Sequence, residues 1–363
     1  MIYFKVNSYN IHIFELKIIM SSFDTKEYLN LVNISLRKMD DGFYEESLIG
    51  LKKVISSNYF KKLKTNDQLF IRKRISWIQL TLGYYDEGWN NFVYNWLKNS
   101  HKFKKIYEQN NSIKYLINFN QIKKNDKLLI WNDGGFGDYI YQLRFLEHLV
   151  NRIDFKIYDS KMSHLLRDKD LIVSNSQNFD WHLPMNELPR ILNHNPTKYF
   201  NFNYNYMIQP FQKYQKFKNH VALCYKTNTS KAKSIDYKLL EKLFFEKKNI
   251  NFLILSKDFD KKEFSFLSSF KNISFVKNLD KSNLFIDTFN ILSSVKYVIS
   301  VDTAVTHIAG YLGKKNYLLL SKPGSFYWGM KKEKSLDYPN HIILRQKTVG
   351  NWISVIDDVI KLI

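Results

Sequence analysis

Three short stretches hold the residue types that could do chemistry. The first is WNDGGFGD (131–138), where Gly134, Gly135 and Gly137 lead to Asp138. A strand-like run, KLLIWN, enters it and a helix-like run, DYIYQLRFLEHLV, leaves it. Such turns often cradle a pyrophosphate, but the dinucleotide fingerprint needs a third glycine, and Ile140 stands there. Asp138 also sets a negative charge where a phosphate would sit. The second stretch, SVDTAVTHIAG (300–310), follows a buried strand-like run. Asp302 or Thr303 serves as an N-cap there, and the helix that opens at Ala304 offers free backbone N–H groups and a positive dipole end to a phosphate. His307 falls one turn later and points back to the same mouth. The third stretch, CYKTNTSKAKSIDY (224–237), offers Lys226, Lys231 and Lys233 among Asn228, Thr229 and Ser230. This loop fits a diphosphate clamp, and Lys226 is the cation best placed by its position at a strand end. In a chain this rich in lysine, a solvated loop is the plain alternative.

The elements that must position these residues change character along the chain. Residues 24–120 read as helices in hairpin pairs, with an Asp-Asp-Gly turn inside the first pair and LGYYDEGW inside the second. The small residues of LGYYDEGW stand where two helices must cross closely. Hairpins of roughly 34 residues are the unit of tetratricopeptide arrays, but about two fit here, short of the ~3 an independent array needs. The helices are therefore expected to pack on the domain C-terminal to them, as a structural cap or as a peptide-binding surface. From residue 126 strands alternate with helices, as a parallel sheet covered on both faces requires. One such set occupies 126–215 and a second 216–363, closed by the helix WISVIDDVIKLI. The two prolines of FDWHLPMNELPRIL preclude a long regular element between them. The fold class is thus α/β: two Rossmann-like domains facing a cleft, preceded by an all-α tetratricopeptide-like region.

Composition bounds the rest. The chain has 363 residues, 45% hydrophobic and 25% charged, and a formal net charge of +21. That excess suits an anionic partner, although abundant Lys, Ile, Phe and Tyr also follow from an AT-rich genome. No nucleic-acid motif accompanies it, so no nucleic-acid partner is expected. The single cysteine, Cys224, excludes an intramolecular disulfide and a thiol-rich zinc site, and its apolar setting points to a buried, inert thiol. No run reaches the ~18–20 apolar residues of a membrane span. Residues 1–23 read as a poorly defined extension and a poor signal peptide, with Met20 before SSFDTKEYL as an alternative start. A cytoplasmic protein is expected, able to lie against the inner membrane face.

VDTAVTHIAGYLGKKNYLLLS resembles the donor-site segment of heptosyltransferase-like glycosyltransferases, glycosyltransferase family 9, and WNDGGFGDYIYQLRFLEHL resembles their amino-terminal glycine–aspartate loop. The likeness is closest to the branch in which tetratricopeptide repeats precede the transferase domain, and it extends through DWHLPMNELPRIL to SFYWGMKKEKSLDYPNHIILRQKTVGNW. The resemblance implies a GT-B fold, with a nucleotide-sugar held by the second domain and a glycan, lipid-linked or protein acceptor by the first. It implies no cofactor and no bound metal. Asp138 would be the general base, Lys226 a cation near the donor phosphates, Asp302, Thr303 and Ala304 the donor loop, and His307 its histidine. The family usually has glycine where Ala304 stands. Asp168-Lys169-Asp170 and Asp258-Phe259-Asp260 have the spacing of metal-binding aspartates in GT-A enzymes but lack that context. A noncatalytic scaffold, with a protein partner on its repeats, and a nucleotide-sugar epimerase are the alternatives.

Overall fold

The computed structural model describes residues 23–92, 101–158, 163–197, 206–210, 212–228, 230–281, 284–322, 324–330 and 333–363. Most of the expected extension, Thr229 and much of the aromatic stretch after Pro196 lie outside these residues.

Among the described residues the helical region comprises α1 (Phe23–Asp40), α2 (Tyr44–Ser56), α3 (Asn58–Lys62), α4 (Thr65–Leu82), α5 (Tyr85–Phe92) and α6 (His101–Gln109). The Asp-Asp-Gly turn separates α1 from α2 as expected, with Gly42 at φ 80°. Gly83, at φ 89°, ends α4, and the next N–H, that of Tyr84, bonds back to Gln79 O at 2.9 Å. Only a residue without a side chain adopts that left-handed position at no cost. Gly88 is the small residue at the α4–α5 crossing: a Cβ there would stand 2.7 Å from the Leu80 side chain.

Among the described residues two sheets follow, and their strands all pair in parallel with one another. The first contains β1 (Lys114–Tyr115), β2 (Lys127–Trp131), β3 (Asp154–Tyr158), β4 (Ile172–Val173) and β5 (Trp181–Pro184), in the order β1-β5-β2-β3-β4. The segment after the helices therefore supplies an edge strand, and the proline-bearing DWHLP supplies one between β1 and β2. Pro184 is the last residue of β5, where its missing N–H costs the ladder least. Between these strands lie α7 (Phe136–Gln142), a 3₁₀ segment over Leu143–Leu149, and, after β5, α8 (Leu188–Ile191). The run expected as one helix to Leu149 is thus α-helical only to Gln142.

The second sheet contains β6 (His220–Cys224), β7 (Asn251–Ile254), β8 (Ile273–Phe275), β9 (Tyr297–Val301), β10 (Asn316–Leu320) and β11 (His341–Arg345). Its helices are α9 (Glu241–Glu246), α10 (Lys261–Ser268), α11 (Ile286–Ser294), α12 (Ala304–Tyr311) and α13 (Ile353–Leu362). The order β8-β7-β6-β9-β10-β11 is, counted along this unit, 3-2-1-4-5-6, that of Rossmann sheets. The strands read as apolar runs because helices cover both faces: VIS of β9 and all of β10 are buried. The α/β architecture of two Rossmann-like units after a helical region is therefore present, and no helix among the described residues is long and apolar enough to cross a membrane.

The helical region packs on the second unit as well as the first. Phe326 lies among Trp77, Trp89 and Phe92 with ring centroids 5.6, 5.9 and 6.0 Å apart. The Trp89 indole N–H donates to His194 O of the first unit.

Candidate active site

In a doubly wound sheet, ligands meet the chain beyond the carboxyl ends of the two strands where the order reverses. In the second unit these strands are β6 and β9. The residues beyond β9 are Asp302 and Thr303, and those beyond β6 run from Tyr225 to Ser234. In the first unit the corresponding strands are β2 and β5, and the glycine loop follows β2. Both mouths therefore carry residues that the sequence singled out.

Asp138 is the third residue of α7. Its Oδ2 accepts the Gly135 N–H at 2.8 Å, which caps the helix, and its Oδ1 accepts the Tyr327 hydroxyl at 2.9 Å. Burial pushes the Asp138 carboxyl above its ordinary range, and these two hydrogen bonds offset part of that rise. Tyr327 itself stays a proton donor, because burial and the neighbouring Asp138 hold its phenol well above 10. Behind the loop, Asp133 Oδ1 accepts the Asn186 N–H at 3.2 Å, and burial raises this carboxyl to about 6. A Cβ on Gly134 would meet Asn186 Nδ2 and Asp138 Cβ at 2.7 Å, so this loop must be narrow.

Across the cleft, Thr303 caps α12 by accepting the Val305 N–H at 3.2 Å, and Ala304 opens the helix. Cys224 is buried beside it, 3.8 Å from Thr303 Oγ1, and burial pushes its thiol up to about 11. Asp302 accepts Lys233 Nζ at 2.6 Å on Oδ2 and the Trp328 indole N–H at 3.0 Å on Oδ1. Burial disfavours its charge, but the Lys233 ammonium and the hydrogen bonds from Lys233 and Trp328 outweigh burial and hold the carboxyl below its usual range. His307 stacks on Trp328 at 5.3 Å and shares a hydrogen bond with Tyr338 Oη at 3.1 Å. Burial lowers this imidazole to about 3, so it is neutral at physiological pH.

The two mouths meet at Gly137. A Cβ there would lie 2.9 Å from His307 Cδ2 and 3.6 Å from Ala304 Cα, so α7 and α12 touch through the missing side chain. A second clamp lies just behind. Tyr141 Oη donates to Asp337 Oδ2 at 2.7 Å, and Arg144 Nη1 donates to Asp337 O at 2.9 Å. His194 Nε2 stands 3.2 Å from Asp337 Oδ1.

The structure thus brings Gly134, Gly135, Gly137 and Asp138 together with Asp302, Thr303, Ala304 and His307. It takes Lys226 elsewhere: its ammonium donates to the Asp258 carbonyl and to Glu263 Oε2, the latter at 2.7 Å. Lys233 is the cation at the Asp302 carboxylate, carried there by the 3₁₀ turn Lys231–Lys233. Tyr327 and Trp328, which touch Asp138 and Asp302, were not singled out from sequence as site residues. Their signal was the aromatic run SFYWG after β10. Of the two aspartate triplets, Asp260 caps α10 by accepting Glu263 N–H at 2.8 Å, and Asp168 accepts Asp170 N–H at 2.9 Å. Among the described residues no group of three or more His, Cys, Asp or Glu side chains could hold a metal ion.

No protein-family model matches the chain, and no curated protein does. Among solved structures it is similar to a glycosyl transferase family 9 protein of Veillonella parvula at 10% identity, over 66% of this chain and 97% of that one, with a TM-score of 0.47. It is similar to the E. coli heptosyltransferase WaaC with ADP-2-deoxy-2-fluoro heptose at 11% identity, over 65% and 99%, with a TM-score of 0.39. It is also similar to a Thermobaculum terrenum O-GlcNAc transferase mutant at 8% identity, over 94% and 91%, with a TM-score of 0.36.

Proposed function

We propose that the protein is a glycosyltransferase that moves a sugar from a nucleotide-sugar to an acceptor hydroxyl, with Asp138 as general base and no resident metal. The observation that carries this reading is the contact at Gly137. It sets the half-buried Asp138 carboxylate of one Rossmann mouth against the capped amino terminus of α12 at the other. In the reaction, Asp138 takes the proton of the attacking hydroxyl. The hydroxyl oxygen bonds to the anomeric carbon, and the bond from that carbon to the diphosphate oxygen breaks. The departing diphosphate gains negative charge, which the free N–H groups of α12 and the Lys233 ammonium balance. The raised Asp138 carboxyl favours this role, because a stronger base takes the proton more readily near neutral pH.

The acceptor side is read as the cavity of about 280 Å3 whose walls include Tyr85, Trp89, Tyr141, Tyr327 and Asp337. Aromatic faces beside a carboxylate suit a glycan, and the cavity adjoins Tyr327, whose hydroxyl touches Asp138. In this reading the tetratricopeptide-like helices complete the acceptor pocket, and the acceptor is a surface glycan, a lipid-linked glycan or a protein.

A thermal-shift panel of UDP-, GDP-, ADP-, dTDP- and CMP-sugars, followed by product analysis with the best binder, tests the reading. Donor stabilisation and acceptor-dependent product are expected, and Asp138→Asn should cut turnover ~10²–10⁴-fold with the fold intact. Absence of donor binding would make the protein a scaffold, and acceptor-free conversion of the donor would make it an epimerase.

A further inference from the structure

Beyond the carboxyl ends of β10 and β11, next to the helical region, lies a second cavity, of about 220 Å3. Ser321, Lys322 and Gly324 line it from the loop after β10, and Arg345, Gln346 and Lys347 from the end of β11. Gly42 and Tyr44 close it from the α1–α2 hairpin. Three cationic residues thus line a space whose described lining includes no carboxylate. The acids of the nearby turn are turned aside: neither Asp40 nor Asp41 lines the cavity, and Asp40 faces Arg74.

Two further groups make this more than a basic patch. Gln346 is 3% exposed, and its Oε1 accepts the Lys322 and Gly350 N–H groups at 3.1 and 3.0 Å. Those two donors fix the amide orientation, so the NH₂ faces the other way, and Nε2 has no partner among the described residues. Ser321 is also 3% exposed, and its Oγ likewise has no partner among them. A buried polar group left unmatched costs free energy, and native chains retain few of them without a reason. Here both are able to donate, and both lie among cations. Burial lowers the Arg345 guanidinium to about 10, which still leaves it charged at neutral pH, and an anion beside it would relieve that desolvation.

We propose that this cavity is a binding site for a phosphate group, either free or carried as a monoester. The Ser321 hydroxyl and the Gln346 amide donate to its oxygens, and Lys322, Lys347 and Arg345 balance its charge. The site is separate from the β6–β9 mouth but communicates with it. Arg345 Nη2 donates to Trp328 O, and the Trp328 indole N–H donates to Asp302. The assignment rests on no reading of the reaction, so it stands or falls independently of glycosyl transfer.

The test is calorimetric titration of the full chain with inorganic phosphate, with ionic strength held constant by sodium chloride. Saturable binding of one phosphate per chain is expected at this site. Ser321→Ala and Lys322→Met should each weaken it about 10-fold or more, while Lys233→Met, at the other mouth, should change it less than about 2-fold. Ser321→Ala should be as stable as the parent without phosphate, since it only deletes an unmatched hydroxyl, and should gain less stability from phosphate than the parent does. Tighter binding of phenyl phosphate than of inorganic phosphate would identify a monoester as the ligand, and the reverse would identify the free ion. No saturable binding, or binding lost in Lys233→Met and kept in Lys322→Met and Ser321→Ala, would overturn the proposal.

Discussion

The contact at Gly137 yields the sharpest quantitative test, because one methyl group probes whether α7 and α12 touch. In Gly137→Ala the added Cβ would stand 2.9 Å from His307 Cδ2 and 3.4 Å from Nε2. The ring cannot retreat easily, being 4% exposed, stacked on Trp328 and bonded to Tyr338. Overpacking of this kind costs ~1–3 kcal/mol. Alanine is the better helix former by about 0.5–1 kcal/mol, and less than that in a first turn, so a net loss of about 0.5–2 kcal/mol remains. The measurement is a double-mutant cycle in urea with His307→Ala. With the ring absent the same methyl has room, so Gly137→Ala should become neutral or stabilising in that background. The coupling should therefore exceed the ~0.3–0.5 kcal/mol within which independent sites add. Additive midpoints, or a single Gly137→Ala variant more stable than the parent, would show that the two helices do not meet there. Turnover should fall along with stability, since even small displacements of a base from its target slow a reaction.

Three further perturbations read other parts of the structure. Phe326→Ala removes the ring that lies among Trp77, Trp89 and Phe92; it should cost about 2–4 kcal/mol and release the helical region to limited proteolysis, while an unchanged cleavage pattern would count against this docking. Lys233→Met leaves Asp302 without its cation and should weaken nucleotide-sugar binding about 10-fold or more in calorimetry, which equal affinity would contradict. His182 accepts the Trp131 indole N–H on Nδ1 at 3.2 Å, and burial lowers its imidazole to about 3. A lowered folded value means that the unfolded chain binds the proton first, so the His182 contribution is complete above about 6.5 and is lost as pH falls below it. Between pH 7.5 and 5 the parent should therefore lose about 2 kcal/mol more than His182→Asn, read from urea midpoints, and parallel profiles would refute the neutral assignment.

What the sequence disclosed divides along a physical line. The second sheet was legible because its strands are buried runs and its helices carry their own caps: YVISV, Thr303 and the helix after it are contiguous. The α4–α5 crossing was legible for the same reason, since Gly83 and Gly88 act on residues within one hairpin. Three strands escaped the reading. β1 has two residues on a sheet edge, β5 is four residues ending in proline, and β11 follows an aromatic, irregular segment. Each is defined by its neighbours in the sheet rather than by its own pattern. Lys226 and Lys233 make the same point within one loop. Position at the end of β6 favoured Lys226, but Glu263, brought in by α10, takes its ammonium, and a 3₁₀ turn returns Lys233 to Asp302.

Tyr327 reaches Asp138 across 189 residues of chain and Trp328 reaches Asp302 across 26, distances over which local pattern carries no information. The same short segment places Phe326 in the helical region, and Asp337, a few residues on, binds Tyr141 and Arg144 of the first unit. One stretch of the second unit therefore touches the helices, the first unit and both carboxylates of the candidate site. That connectivity bears on how the helical region is held against the two α/β units. Among the described residues, Phe326 and Met330 pack against the apolar clusters of these helices. A ligand that moves this segment must then shift the hydrogen bonds at Asp138 and Asp302 together, because the Tyr327 and Trp328 donors sit on a single 3₁₀ turn.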